Sequence, residues 1–252
     1  MKQLLIIGIG AGNPEYITIQ AVKALNRADV VFLMDKGSDK VKLNDLRRDI
    51  CERYIEHGNY RIVEALNPER RREAADYRRA VDDLNAQKQQ TFERLIAEEL
   101  ADGECGAFLV WGDPSLYDST IRIVDAIIEQ GRHDLAYEVI PGITSVQALT
   151  ARHRVPLNSI GQSVEITTGR RVAKGLTGDA ESVVVMLDAE NSWQTLVDQD
   201  LDIYWGAYLG TPDEILIAGR LKDVADEIQR ERSAARQRHG WIMDTYLLKR
   251  RE

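Results

Sequence analysis

The sequence has few of the residues from which metal sites and disulfide frameworks are built. Its 252 residues include two cysteines and four histidines, and none of these shows metal-ligand spacing. The two isolated thiols, Cys51 and Cys105, are typical of a protein of the reducing cytoplasm. A Gly-x-Ser-x-Gly nucleophile elbow is also missing. We therefore expect neither a bound metal nor a side-chain nucleophile.

Positive charge and long apolar segments are scarce as well. Lys and Arg number 33 against 41 Asp and Glu, giving a net charge of -8. Binding to a phosphate backbone needs clustered basic residues, so we expect no nucleic acid partner, although a local basic pocket can hold a small anion. Glycines interrupt the apolar N-terminal run, which is too short for a signal peptide or a membrane span. We therefore expect no membrane partner.

The apolar runs that are present predict an α/β fold. Residues 4–7 and 30–34 are continuous apolar segments, as in strands buried on both faces of a parallel sheet. Between them, Thr18 can cap a helix. Residues 68–100 are dense in alternating charge and predict a pair of solvated helices. A third apolar strand follows at residues 107–111.

The strand signals lie closer together in the second half of the sequence. They fall at residues 136–140, 164–167, 182–187, 203–208, 214–218 and 241–247. Strands this close imply some antiparallel pairing. We therefore predict two α/β lobes, residues 1–117 with a mostly parallel sheet and residues 118–252 with a mixed sheet.

The first motif is the run GIGAGNP, residues 8–14, directly after the first predicted strand. Glycines at such a position let a ligand approach the backbone, or simply form a tight turn from strand to helix. The run is not G-x-G-x-x-G, and Pro14 falls where a helix should already donate N–H groups to a phosphate. The glycines alone leave both interpretations open.

Two further motifs follow predicted strands. Trp111-Gly112-Asp113-Pro114 places a carboxylate and bare backbone where α/β folds bind ligands, although it also fits a proline-stiffened turn. The run PGITS, residues 141–145, starts at another strand end. Thr144 and Ser145 there can cap the next helix or offer hydroxyl groups to a ligand.

The order of these motifs resembles that of the tetrapyrrole methylase family. The resemblance is carried by IIGIGAGNPEYITIQAVKALNRADVVFLMD, WGDPSLYDST and VIPGITSVQAL. The later segments ARHRVPLNSIGQSVEITTGRR and DIYWGAYLGTPDEILIAGRL narrow it to a deacetylating member that acts on a cobalamin precursor. The sequence departs from the family at Ala11, where many relatives have proline, and at Asn13, where they have aspartate.

The resemblance implies S-adenosyl-L-methionine (SAM) as methyl donor, held in the cleft between the lobes of a cytoplasmic homodimer. The residues that it assigns to SAM are Trp111, Gly112, Asp113, Leu116, Thr144, Ser145, Met186 and Gly210. The implied substrate is precorrin-5, which is methylated at ring carbon C-1 with release of its acetyl group.

Substrate contacts are expected at Gly10, Tyr16, Tyr117 and Arg170. The further arginine candidates for the substrate carboxylates are Arg152, Arg154 and Arg171. Asp35, at the end of the second predicted strand, is the candidate general base for the addition of water to the acetyl group. A role for Asp35 in capping the next segment, or in an ion pair, stays open.

Several alternatives remain at this stage. The first is another methylase of the same pathway that modifies a different ring carbon, and the second is a family member that acts on diphthine or on RNA ribose. A third is a NAD-dependent oxidoreductase, in which Asp35 would bind a ribose. A non-catalytic corrinoid-binding protein is the fourth.

Overall fold

The computed structural model describes residues 1–35, 41–66, 68, 77–176, 178 and 180–251. The chain divides into two compact units. The first comprises Met1–Gly10 and Pro14–Thr144, and the second comprises Ala11–Asn13 and Ser145–Glu252. Among the helices of these described residues, none is both long and apolar enough to cross a membrane.

The first unit is built on a parallel sheet. Its strands are β1 (Lys2–Gly8), β2 (Val30–Asp35), β3 (Arg61–Leu66), β4 (Cys105–Val110) and β5 (Leu135–Ile140). They lie in the order β3-β2-β4-β1-β5, and every neighbouring pair is parallel. The helices of this unit are α1 (Ile19–Leu25), α2 (Val41–Tyr54), α3 (Tyr77–Glu98) and α4 (Thr120–Glu129).

Both faces of this sheet are covered, which explains the continuous apolar runs of its strands. Leu5 and Ile7 pack with apolar residues of α1 and α2 on one face. Leu4 and Ile6 pack with those of α3 and α4 on the other. Successive side chains of a strand point to opposite faces, so each of these positions must be apolar. The prediction of buried parallel strands is confirmed.

The helix signals of the first unit are confirmed in part. The Thr18 side chain caps α1 as predicted, because its oxygen accepts a hydrogen bond from the Ala21 N–H at 3.1 Å. In the charged stretch of residues 68–100, the structure describes the helix α3. Residues 69–76 lie outside the described residues, so the second helix of the predicted pair stays a prediction.

The second unit contains a mixed sheet. Its strands are β6 (Val164–Thr168), β7 (Ser182–Met186), β8 (Leu201–Ala207), β9 (Ile215–Arg220) and β10 (Asp244–Arg250). They lie in the order β6-β7-β10-β8-β9, and only β6 and β7 are parallel neighbours in this sheet. The helices are α5 (Ser145–His153), α6 (Gly169–Val172) and α7 (Leu221–His239). The predicted mixed sheet is confirmed.

The predicted lobe boundary near Tyr117 is wrong. β5 pairs with β1, and the helix α4 packs against α3, so residues 118–144 belong to the first unit. The chain passes from the first unit to the second after Thr144. The short spacing between predicted strands misplaced the boundary, because a strand's partner can lie anywhere in the sequence.

A buried ionic pair helps to hold the second unit together. The Arg232 Nε of α7 donates to the Asp244 carboxylate at 2.8 Å, and the Trp205 indole N–H donates to the same oxygen at 3.0 Å. Arg232 also donates to the Asp188 carbonyl oxygen at 2.6 Å. The Tyr246 hydroxyl in turn donates to the Asp188 carboxylate at 2.8 Å. This polar network joins α7 to the ends of β7, β8 and β10.

We expect Arg232→Met to lower the free energy of unfolding by about 3–5 kcal/mol, because it leaves the buried Asp244 carboxylate without its cation. Denaturant unfolding followed by circular dichroism measures the loss. The matched control is Arg230→Met on the same helix, since Arg230 is exposed. Its loss should stay within about 0.5 kcal/mol.

The loss in Arg232→Met should depend on pH. Burial raises the pKa of Asp244, and the Arg232 guanidinium only partly offsets this. A carboxyl whose pKa is higher in the folded state binds a proton more readily when folded, so its contribution to stability falls as the pH rises through that pKa. Removing Arg232 raises this pKa further. The loss in free energy of unfolding caused by Arg232→Met should therefore become smaller as the pH falls from 7 to about 4. An equal loss at both pH values would contradict this account.

Candidate active site

The turn after β1 and the turn after β4 are joined by their backbones. The Gly112 N–H donates to the Gly10 carbonyl oxygen at 2.8 Å, and the Gly10 N–H donates to the Gly112 carbonyl oxygen at 3.3 Å. Both glycines have left-handed backbone, with φ of 83° and 70°, which side chains disfavour. The first and second sequence motifs therefore form one structural element.

Asp113 connects this element to the third motif. One carboxylate oxygen of Asp113 accepts the Gly142 N–H at 2.8 Å, and the other accepts the Ser115 N–H at 2.8 Å and the Ser115 hydroxyl. Burial raises the pKa of the carboxyl, but these hydrogen bonds outweigh it and the pKa of Asp113 is lowered. Asp113 is therefore ionised near neutral pH, and its bonds fix the turns that follow β4 and β5.

The third motif packs against the other two without space for side chains. A Cβ built on Gly142 would lie 2.0 Å from the Gly112 carbonyl oxygen, and one on Gly8 would lie 2.6 Å from the Gly142 nitrogen. Only glycine fits at these two positions. The sequence singled out the motifs, but it did not distinguish these packing glycines from those that leave room for a ligand.

Gly112 differs from these two glycines, because a Cβ built on it would clash with no atom outside its chain neighbours. The nearest atom to a Cβ built on it, outside its chain neighbours, is the Thr144 Cα at 3.7 Å. Thr144 itself is buried, whereas Trp111 and Leu116 are partly exposed. The first unit thus brings together five of the eight residues predicted to bind SAM. These five are Trp111, Gly112, Asp113, Leu116 and Thr144.

Two tyrosines predicted to contact substrate lie near these turns. Tyr16 packs on the first glycine turn, where a Cβ on Gly10 would come within 2.8 Å of the Tyr16 Cβ. Tyr117 follows the second motif, has a φ of 53° and is 46% exposed. A non-glycine residue in left-handed backbone is uncommon, and such residues are concentrated at functional sites.

In the second unit, Ser145 and Met186 lie beside the same strand residue. Thr245 of β10 donates its hydroxyl to the Ser145 oxygen at 3.0 Å and pairs with Met186 across the sheet. Sequence reasoning missed Thr245, because no motif surrounds it. Two hydroxyl groups and a partly exposed thioether are therefore positioned where β7 ends and β10 begins, among the interior strands of the mixed sheet.

Gly210 lies in a turn that is closed by an acidic side chain. Its N–H donates to one Glu214 oxygen at 2.7 Å, and the Arg152 Nε donates to the other at 2.6 Å. The loop of residues 11–13 packs on this turn, since a Cβ on Gly12 would lie 1.9 Å from the Leu209 carbonyl oxygen. Arg152, a candidate for the substrate carboxylates, is thus ion-paired within the protein.

The other candidates are less closely placed. Arg170 and Arg171 are exposed on α6, directly after the β6 residue that pairs with Met186. Arg154 follows α5 with a φ of 55°. The backbone of Asp35 ends β2 opposite Leu66, but its side chain lies outside the described residues. The described residues contain no group of three or more His, Cys, Asp or Glu side chains that could hold a metal ion.

A family model described as "Tetrapyrrole (Corrin/Porphyrin) Methylases" matches residues 3–225, which include all three glycine motifs. The chain belongs to the tetrapyrrole methylase family. This methylase is 53% identical over 250 residues to a precorrin-6A synthase [deacetylating] of Sinorhizobium sp., a match that covers 99% of the chain and 96% of that enzyme.

Solved structures agree with this assignment. The methylase is similar to the crystal structure of a cobalamin synthesis related protein (CobF) of Corynebacterium diphtheriae. The TM-score is 0.86 at 35% identity, and the match covers 100% of both chains. A uroporphyrin-III C-methyltransferase of Thermus thermophilus, solved with S-adenyl homocysteine, has a TM-score of 0.60 at 17% identity, covering 98% of this chain and 92% of that one. At that identity, the second likeness shows the fold alone.

We expect Gly112→Val to abolish SAM binding in a folded protein. The valine would fill space that the backbone leaves open beside Thr144, and its left-handed backbone should cost about 1–2 kcal/mol of stability. Calorimetry measures the affinity, and thermal melting measures the fold.

Gly131→Val is the matched control for this substitution. Gly131 follows α4, has a φ of 64° and has nothing within 4 Å of a built Cβ. The control should lose similar stability and keep its SAM affinity. Undiminished SAM affinity in a folded Gly112→Val protein would remove this turn from the binding site.

Proposed function

We propose that this chain catalyses the precorrin-6A synthase (deacetylating) reaction of cobalamin biosynthesis. It transfers a methyl group from SAM to C-1 of precorrin-5 and releases the acetyl group there as acetate. The observation that carries the proposal is the near full-length relationship to the Sinorhizobium enzyme. The proposal includes a cytoplasmic location, which the free, buried thiols of Cys51 and Cys105 support. It also includes a homodimer, which light scattering tests by measuring the molar mass in solution.

The chemistry of the residues fits SAM. The absence of a side chain at Gly112 suits a ligand that lies against the turn, and the hydroxyl groups of Ser145 and Thr245 suit the polar groups of its amino acid or ribose. We assign eight residues to SAM binding. They are Trp111, Gly112, Asp113, Leu116, Thr144, Ser145, Met186 and Gly210. When bound, SAM supplies an electrophilic methyl group on a positively charged sulfur.

The protein's own task in methyl transfer is to position the reactants and to exclude water. The positive charge on sulfur disappears in the transition state, so a strong electrostatic stabiliser is not needed there. Backbone turns fixed by the Asp113 carboxylate suit this task, because their geometry does not depend on flexible side chains.

Release of the acetyl group needs more from the side chains. A water oxygen adds to the acetyl carbonyl carbon and loses a proton to a base. The bond from that carbon to C-1 then breaks, which releases acetate, and its electron pair remains on the macrocycle. C-1 forms its bond to the methyl group of SAM as the bond from that methyl group to sulfur breaks, with the electron pair of the broken bond going to sulfur. We assign the base to Asp35, which ends β2, and substrate contacts to Gly10, Tyr16, Tyr117 and Arg170.

Mass spectrometry of the product tests the reaction. Purified protein incubated with precorrin-5 and SAM should yield a product that has lost the acetyl group and gained one methyl group, together with acetate. Gain of a methyl group without loss of acetyl would indicate another precorrin methylase. Calorimetry that shows binding of NAD and none of SAM would contradict the whole assignment.

A separate prediction concerns the base. Asp35→Asn should lower turnover by roughly 10²–10⁴-fold, the usual contribution of a general base, because an amide of nearly the same size cannot take a proton from water. The affinity for SAM should stay within a small factor of that of the unmodified protein. Turnover, SAM affinity and melting temperature are measured on the same variant.

The control for this variant is Asp29→Asn. The Asp29 carboxylate accepts the Cys105 N–H at 2.8 Å, which is a structural contact before the amino end of β2. The Asp29→Asn substitution should lower the stability of the protein and leave the turnover of the folded protein nearly intact. If Asp35 only caps a helix, Asp35→Asn should behave in the same way, with a loss of about 1 kcal/mol or less. Near-normal turnover would then assign the base to another group.

A further inference from the structure

Leu187 combines two unfavourable features in one residue of the second unit. It directly follows Met186 at the carboxyl end of β7, and its backbone is left-handed, with a φ of 55°. This conformation strains any residue that carries a Cβ, whereas glycine adopts it freely. The Leu187 side chain is also 66% exposed, so packing within the protein offsets little of the strain. Folding alone therefore favours glycine at this position.

The other left-handed side chains of the second unit have local explanations. Within its described residues they are Arg154, Asn191 and Tyr208. Tyr208 is buried and its hydroxyl is hydrogen-bonded, while asparagine tolerates this backbone and the Asn191 amide is hydrogen-bonded as well. Arg154 directly follows α5, where left-handed residues commonly end helices. Of these four residues, only Leu187 is an exposed apolar one.

The neighbouring Asp188 holds the backbone at Leu187. Its side chain is buried, and one carboxylate oxygen accepts the Ser192 N–H at 2.7 Å and the Tyr246 hydroxyl at 2.8 Å. The other oxygen accepts the Glu190 N–H at 3.1 Å and the Ser192 hydroxyl at 3.0 Å. The carboxylate is thus engaged within the protein, and any effect of Asp188 on a ligand must act through the turn that it fixes.

Asp188 also packs against the segment that follows β6. A Cβ built on Gly169 would lie 2.3 Å from the carboxylate carbon of Asp188, so only glycine fits there. Gly169 directly follows Thr168, which pairs with Met186 across the sheet. Because β6 and β7 are parallel, their carboxyl ends lie side by side. Asp188 therefore fixes the segments that leave both strands at the level of Met186.

We propose that Leu187 contacts the cofactor beside Met186, and that Asp188 is the positioning residue that holds Leu187 there. The inference rests on the proposed function for its ligand, SAM, to which Met186 is assigned. The adenine ring is the part of SAM with a flat, largely apolar face that can cover a leucine. Such a contact removes apolar surface from water only in the complex, which gives the strained, exposed leucine a role in binding.

Leu187→Gly separates binding from folding. Glycine relieves the backbone strain, so the melting temperature should stay the same or rise. The affinity for S-adenosyl-L-homocysteine (SAH), the stable demethylated form of SAM, should fall by about 10-fold, the effect of losing the burial of most of one leucine side chain. Calorimetry measures this affinity. A purely structural role would change the melting temperature and leave the affinity for SAH unaltered.

Two further substitutions are controls for Leu187→Gly. Ile160→Ala removes a fully exposed aliphatic side chain from the same unit, and it should change neither the affinity for SAH nor the melting temperature. Leu187→Met retains a large apolar side chain of similar volume, and it should keep most of the affinity.

Asp188→Asn tests the positioning role. An amide has one acceptor oxygen where the carboxylate has two, so some of the hydrogen bonds that fix the turn are lost. The affinity for SAH should fall in this variant. The same substitution should have a much smaller effect in the Leu187→Gly protein, because both changes then act on one contact. Asp29→Asn is the control, since it should lower stability without changing the affinity for SAH.

The outcomes separate this inference from the proposed reaction. Unchanged affinity for SAH in a folded Leu187→Gly protein would overturn the contact. An equal effect of Asp188→Asn with and without the Leu187 side chain would overturn the positioning role. If both results are as expected but precorrin-5 is not converted, the inference stands and the proposed reaction is wrong. Absence of SAH binding to the unmodified protein would overturn both.

Discussion

The hydrogen bond from the Gly142 N–H to the Asp113 carboxylate is the interaction on which the arrangement of the candidate site residues in the first unit depends. Parallel strands align their carboxyl ends, but the ladder of the sheet stops there and leaves the following turns without shared hydrogen bonds. Asp113 supplies that connection by accepting N–H groups from its own turn and from the turn after β5. The paired carbonyl and N–H groups of Gly10 and Gly112 extend the connection to the turn after β1.

In the second unit, a network of buried charged groups fixes the backbone beyond the end of a strand. Leu187 and Tyr208 both have left-handed backbone, with φ of 55° and 49°, where residues with side chains are strained. Leu187 lies directly beside Asp188, whose carbonyl oxygen and carboxylate are both held by the polar network of Arg232 and Tyr246. Strained conformations persist where the surrounding contacts over-determine them. The network therefore fixes the backbone just beyond Met186, as the hydrogen bonds of Asp113 fix the turns in the first unit.

How much of this was predictable from sequence depends on whether the signal is local. The strand that contains Leu4 and Ile6 was predictable because every residue in it must be apolar when both faces are covered. The lobe boundary was not, since the pairing of β5 with β1 joins distant parts of the chain. Thr245 was not predictable for the same reason, because it is an ordinary strand residue until the fold places Ser145 beside it.

The position of β1 at the interior of the parallel sheet has a consequence for the order of events on the ribosome. β1 is flanked by β4 and β5, and Ile7 pairs with Leu109 on one side and with Ile140 on the other. At synthesis rates of roughly 5–20 residues per second, this segment waits on the order of ten seconds before its second neighbour exists. During that time its continuous apolar run is exposed in the nascent chain. A strand that is buried on both faces is thus made before either of its neighbours, and shielding by a chaperone is useful for this segment during translation.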